Sequence, residues 1–232
     1  MKNILFITCL LVLGSTRFSI AQLEGKQFLS GSAGINFNNS NPASLSATHN
    51  YSYNFDISLG KFKSETRAVG WRISNSLGGR KMIYNIYNGS QVEQYEHNGI
   101  SRFGLGLGRF WHFYKHFNAK MGIYGGPEAG LSFLNTKEYS IENNPESLIE
   151  RHIQKIQLSL GLSAGLYYAF SEKWWVTASL AFANPVSVDY SFNRVRNVMT
   201  DEKNKGNDLT YRFSPVFNFP SVGLGLRYFY NR

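Results

Sequence analysis

Large and small residues alternate along most of this chain. In NYSYNFDISLG, residues 50–60, Tyr51, Tyr53, Phe55, Ile57 and Leu59 alternate with Asn50, Ser52, Asn54, Asp56, Ser58 and Gly60. A period of two predicts a β-strand with two unlike faces. The same rhythm predicts eight strands, at 28–37, 50–60, 68–78, 100–111, 119–133, 156–170, 174–183 and 220–230. It is cleanest in 156–170, where Ile156, Leu158, Leu160, Leu162, Leu166, Tyr168 and Phe170 oppose Gln157, Ser159, Gly161, Ser163 and Gly165.

Connections alternate in length. A long Asn- and Ser-rich segment joins the first two strands, and short KFKSET joins the next two. Then come 79–99 (long), FYKHF (short), 135–155 (long), Ser171-Glu172-Lys173 (short) and 191–210 (long). This predicts an all-β fold, an eight-stranded antiparallel up-and-down barrel with both termini at the short-turn end. A sandwich with Greek-key crossovers has no reason to alternate so regularly.

The smaller face decides which side meets water. A soluble barrel would carry Lys and Glu there, but Gly, Ser, Ala and Asn dominate. Small residues suit the crowded interior of an eight-stranded barrel. The large face, rich in Leu, Ile, Phe, Tyr and Trp, suits lipid, and the barrel is expected to be transmembrane. Tyr51 and Tyr53 at one level, and Trp111, Phe170 and Trp174 at the other, are expected in interfacial girdles. A turn near residue 64 would set Asp56 opposite Arg72, and one near 115 would set Arg102 opposite Glu128, as inward ion pairs. Lys120 and Arg227 are further expected lumen cations, and Pro127 and Pro185 suggest bulges or bends.

The first residues follow another pattern. MKNILFITCLLVLGSTRFSIAQ has Lys2, an apolar run from Ile4 to Leu13, and Ser19-Ile20-Ala21. It reads as a signal peptide over 1–21, leaving 22–232 as the barrel domain. Cys9 is the single cysteine and falls inside that signal, so no disulfide or thiolate metal site is expected in the mature chain. Formal charge is +9, and removing Lys2 and Arg17 leaves +7. Export argues against nucleic acid as the partner, and the scattered cations form no basic run. After the signal no run of 18 apolar residues remains, which excludes a membrane helix but not a membrane barrel.

The carboxyl end, GLGLRYFY at 223–230, places Gly225, Tyr228 and Tyr230 in the spacing Gly-x-x-aromatic-x-aromatic. It resembles the terminal signal by which outer-membrane barrels are recognised for insertion. With the signal peptide, the strand number and the alternating loops, the chain resembles the small outer-membrane β-barrels of the OmpA/OmpX-like superfamily. Its AQ cleavage region and Tyr/Asn-rich strands resemble the barrel domains of Bacteroidetes-type bacteria. The resemblance implies an outer-membrane location in a Gram-negative cell and barrel-insertion machinery as a partner.

Candidate chemistry is sparse. His112 and His116 are expected at a solvated short turn, no HExxH occurs, and no metal or cofactor is expected. The glycines at 104, 106 and 108 lack dinucleotide spacing and are read as relieving crowding in the lumen. Catalysis on lipid A would need a Ser, a His and an acid together. His152 with Glu150 and Ser147, or His97 with Glu93 and Glu96, are the candidates, and a lipid A deacylase or acyltransferase is the alternative function. A soluble barrel holding an apolar ligand is a second alternative. The main expectation is a non-enzymatic envelope barrel whose outer loops meet lipopolysaccharide, cells or a protein partner. The loop cations Arg80, Lys81, Lys137, Arg151, Arg194, Arg196, Lys203 and Lys205 would contact lipopolysaccharide phosphates.

Overall fold

The computed structural model describes residues 23–40, 48–88, 91–141, 147–214 and 223–230. The expected signal peptide lies outside these residues. Nine strands are described: β1 (Gln27–Ser40), β2 (Thr48–Ser64), β3 (Arg67–Asn88), β4 (Gln91–His116), β5 (Met121–Ile141), β6 (Leu148–Ala169), β7 (Trp174–Asn197), β8 (Lys203–Phe213) and β9 (Gly223–Phe229). Each strand from β1 to β7 pairs antiparallel with the next. β7 then pairs twice, with β9 along 174–179 and with β8 along 186–196. β9 returns to β1, where Phe28 faces Phe229 and Gly31 faces Leu226. The ring therefore closes through eight strands, with β8 continuing the β7 edge beyond β9.

The expected strands are present but longer. Segments expected as long loops are strand for most of their length, because the backbone pairing continues through them: β3 runs on to Asn88, β6 starts at Leu148 and β7 runs to Asn197. β8 occupies much of what the connection-length pattern makes a loop.

Large residues point outward. Ile57 is 45% exposed, Trp71 51% and Leu160 53%, while the small positions between them line the interior. This orientation is the one expected of a membrane barrel rather than of a soluble barrel holding an apolar ligand. Twelve steps along β6, from Ile156 to Tyr168, carry an apolar row that is exposed throughout but for the half-buried Ala164. On a strand tilted by about 40° they rise roughly 30 Å, the thickness of a bilayer's hydrocarbon core.

The short turns explain the register. Asn118 Oδ1 accepts the Lys120 and Met121 amides at 2.8 and 2.9 Å, and Ser171 Oγ accepts the Trp174 amide at 3.1 Å. Such side chains mimic a backbone turn and fix where a hairpin reverses. The β4–β5 turn is thus near residue 119, and Lys120 belongs to that turn rather than to the wall. Arg102 faces Thr136, not Glu128. Between β2 and β3 the register shifts between Phe62 and Ser64, and Asp56 faces Ser74 while Arg72 faces Ser58. Both expected cross-strand ion pairs are therefore corrected. β7 is irregular on either side of Ala181, near Pro185, as its register against β6 shows.

Candidate functional site

The short-turn end of the lumen is filled by rings. Phe28, Phe62, Phe110, Tyr114, Tyr167, Trp175 and Phe229 are all buried and pack as one cluster with Leu23. Each ring belongs to the inward parity of its strand, near the short-turn end. Phe62 sits at the centre, 4.8 Å from Tyr114 and 5.8 Å from Phe28 between ring centroids. Glycine makes the room: a Cβ on Gly60 would lie 2.2 Å from the Phe28 ring. The entering chain caps this end. Gly25 takes a φ of 83°, a conformation glycine adopts at little cost, and the Leu23 amide donates to the Glu65 carboxylate at 3.0 Å.

Arg227 lies within the plug and is 3% exposed. Its Nη1 donates to the Tyr114 hydroxyl at 2.7 Å, and its guanidinium stands 4.2 Å from the Phe28 ring centre. Tyr124 and Trp175 also face it, at 5.6 and 5.8 Å. Aromatic faces thus carry much of the cation's stabilisation, where water is scarce.

Above the plug runs a polar network. Arg72 donates twice to Glu128, at 2.8 and 3.1 Å. Ser163 Oγ donates to Glu128 at 2.7 Å, and His112 Nε2 lies 3.1 Å from the same carboxylate oxygen and 3.0 Å from Ser163 Oγ. His112 is 4% exposed, so it is an interior residue and not the solvated turn histidine expected. His116 is also held inside the wall end, where its Nε2 donates to the Glu65 carbonyl at 2.8 Å and its Nδ1 accepts from the Tyr167 hydroxyl. Next to this network is a cavity of about 460 Å³, whose lining includes Ser32, Asp56, Arg72, His112, Ser163 and Thr177.

Ser163, His112 and Glu128 do not form a nucleophilic triad. A triad places the acid on one imidazole nitrogen and the hydroxyl on the other. In this network both meet Nε2, while Nδ1 is buried without a hydrogen-bond partner among the described residues. The serine proton is directed at Glu128, which braces the wall rather than activating oxygen.

Among the described residues, neither candidate rim histidine gathers a catalytic set. His152 Nε2 donates to Asn135 Oδ1 at 2.6 Å, and the His97 ring rests on Tyr139 at 4.5 Å. Tyr139 joins Tyr84 and Leu148 in a second buried cluster, with the Tyr84 hydroxyl donating to the Tyr139 carbonyl. Desolvation pushes the His97 pKa down, the neighbouring Lys137 and Arg80 lower it further, and Glu150 opposes them.

The loop cations divide by parity. Arg80 donates to Asn50 at 3.0 Å, and Arg151 faces Glu138 in the register. Both fall on the parity that lines the lumen below. Lys81, Lys137, Arg194, Arg196, Lys203 and Lys205 fall on the outward parity, above the apolar belt. Lys81 pairs with Glu96 at 3.1 Å and Lys137 with Glu150 at 3.0 Å. Arg196 and Lys203 share Asp201 at 2.7 and 3.0 Å, and their hydrogen bonds, that of Lys203 foremost, hold its carboxyl below the usual range.

At the carboxyl end, Gly225 points inward and Tyr228 and Tyr230 outward. The Tyr228 ring packs on Trp174 at 4.8 Å. The plug and the Arg72–Glu128 network escaped the sequence reading. The plug had a signal, an aromatic residue on the small-residue parity beside each of several short turns. The Arg72–Glu128 pairing had none, because β3 and β5 do not adjoin, although parity put both residues inside.

No protein-family model matches the chain, and no curated protein does. Among solved structures, it overlaps the outer membrane protein OprG from Pseudomonas aeruginosa at 10% identity and a TM-score of 0.49, covering 93% of this chain and 100% of that one. It also overlaps a major outer membrane protein from Thermus thermophilus at 11% identity and a TM-score of 0.39, covering 89% and 99%. At these values the overlaps carry no functional meaning.

Proposed function

We propose that this chain is an integral outer-membrane β-barrel that conducts nothing and serves as a scaffold for its long outer hairpins. One observation carries the reading: an exposed apolar row runs across successive strands, from Leu59 through Ile73, Leu107, Leu131 and Leu158, on the outside of a ring whose interior at that level is polar. Water would not tolerate such a belt, and a lipid core favours it. The aromatic plug supports a closed lumen. Gly225, Tyr228 and Tyr230 would serve as the insertion signal, recognised during export of the mature chain.

The scaffold's role is structural and interactive. The hairpins β3–β4, β5–β6 and β7–β8 extend past the apolar belt, and the first two hold each other through the Tyr84–Tyr139–Leu148 cluster. Surface hairpins braced in this way suit contact with lipopolysaccharide, another cell or a protein partner.

The test is fractionation and conductance together. The protein should sediment with outer membranes, resist carbonate and urea extraction, and migrate differently on gels before and after heating. Reconstituted in planar bilayers, it should give no steady current. Recovery in the soluble fraction without detergent would defeat the membrane reading, and stable ohmic steps would defeat the closed lumen.

A further inference from the structure

The outward face changes from apolar to cationic at one level. On β7, Val188, Tyr190 and Phe192 are followed by Arg194 and Arg196 on the same parity, and on β8, Tyr211 and Leu209 give way to Lys205 and Lys203. The register sets Arg194 directly opposite Lys205, and on the other side Arg194 faces His152. Like charges directly opposed across an antiparallel pair repel and destabilise the sheet.

Elsewhere on this collar the repulsion is relieved. Lys81 has Glu96, Lys137 has Glu150, and the opposed Arg196 and Lys203 share Asp201. Among the described residues, Arg194 and Lys205 alone in the collar have no carboxylate within ion-pair distance. They line a cleft of about 310 Å³ with His152 and Glu150, and Phe192 and Leu209 lie below them on the same face. Tyr190 and Leu209, paired across the strands, are 37% and 57% exposed.

We propose that the Arg194–Lys205 pair binds the phosphate of a phosphorylated lipid in the surrounding leaflet. The acyl chains would run down the strip of Phe192, Tyr190 and Leu209. This rests on the membrane reading above and names its lipid partner. A guanidinium and an ammonium on adjacent strands can both donate to one phosphate, forming charge-assisted bonds and removing the like-charge contact. A soluble anion would satisfy the cations but leave the apolar strip unexplained.

The experiment uses the full mature protein in detergent micelles and native mass spectrometry with bis-phosphorylated lipid A as the probe. Arg194→Gln/Lys205→Gln should weaken binding about tenfold or more, the effect of losing a charge-assisted contact. Lys81→Gln, whose charge Glu96 already offsets and which lies outside the cleft, should change it little. Fully dephosphorylated lipid A should bind the wild type as weakly as phosphorylated lipid binds the first variant. Heat-dependent gel mobility verifies that each variant is folded. Equal binding by folded wild type and folded Arg194→Gln/Lys205→Gln would overturn the proposal alone. So would displacement of the lipid by millimolar inorganic phosphate, which would mark a site for free anions. Wild-type protein that stays soluble without detergent would overturn the membrane reading and this proposal with it.

Discussion

Arg72 and Glu128 form a two-pronged ion pair, 2.8 and 3.1 Å, from β3 to β5, passing in front of the intervening β4. The glycines opposite one another along β4 leave the space for it: Gly108 faces Arg72 on one side and Gly130 on the other. The pair therefore ties strands that share no backbone hydrogen bonds. It depends on a row of small residues between them.

Removing one partner should be worse than removing both. Glu128→Ala leaves Arg72 and His112 without the carboxylate they bond, only Asp56 remaining across the cavity, and should lower unfolding stability by about 3–5 kcal/mol. Arg72→Met/Glu128→Met should cost clearly less, since no charge is then stranded. Urea unfolding in detergent or lipid vesicles, followed by tryptophan fluorescence, measures both. Equal losses in the single and double variants would show that the pair does not act as a unit.

Strand parity was legible in the sequence, and register was not. The side-chain period assigns Ile57 and Leu160 to one face whatever the pairing, so inside and outside follow from alternation alone. The pairing of Asp56 depends on a shift between Phe62 and Ser64, and that of Glu128 on Asn118 capturing two turn amides. Both moved the expected ion pairs, and Arg72 found Glu128 across a third strand instead. The outer hairpins were hidden for another reason. Polar residues such as Asn193 and Lys203 fall on both faces there, so the apolar alternation fades although the backbone pairing continues.

Gly70 should tolerate no side chain. A Cβ there would stand 2.2 Å from the Leu59 carbonyl oxygen and 2.7 Å from the Gly60 Cα, both backbone atoms, and 2.3 Å from the Phe110 ring. Gly70→Ala should destabilise the folded barrel by about 1–3 kcal/mol, the range for overpacking. Gly206→Ala, on β8 with nothing within 4 Å of its Cβ, should be near neutral. The same urea titration compares them, and equal stability of the two variants would deny close strand approach at Gly70.

Acid should loosen the outer hairpins through His97. Its pKa is lowered, by desolvation first and then by Lys137 and Arg80, with Glu150 opposing. Below the ordinary value of 6.5 the unfolded or detached hairpin takes up a proton that the packed one resists. Packing on Tyr139 is thus at full strength above that value and weakens as pH falls from it towards the lowered folded pKa. Hydrogen exchange at 92–98 and 137–141, corrected for intrinsic rates, should show lower protection at pH 5 than at pH 7. His97→Gln should abolish the difference. An unchanged pH step in that variant would assign the effect to another group.

Closure of the ring through β1 and β9 can be tested by a covalent bond. Gly31 and Leu226 are direct cross-strand partners, and opposed residues in an antiparallel pair lie about 4.5–5.5 Å apart between Cα atoms. That range falls within the span a disulfide needs. A Cβ at Gly31 meets nothing closer than the Asp56 carbonyl oxygen at 3.6 Å, so the new side chain fits. Cys9 is the only cysteine in the sequence and lies in the segment expected to be cleaved, so no native thiol should compete in the mature chain. Gly31→Cys/Leu226→Cys should oxidise spontaneously and give a non-reduced gel band that differs from the reduced one after heating. A control such as Gly31→Cys/Leu209→Cys uses β8, which pairs with β7 and not with β1 among the described residues. If that control crosslinks and the first does not, the ring closes through β8, and β9 does not stand between β7 and β1.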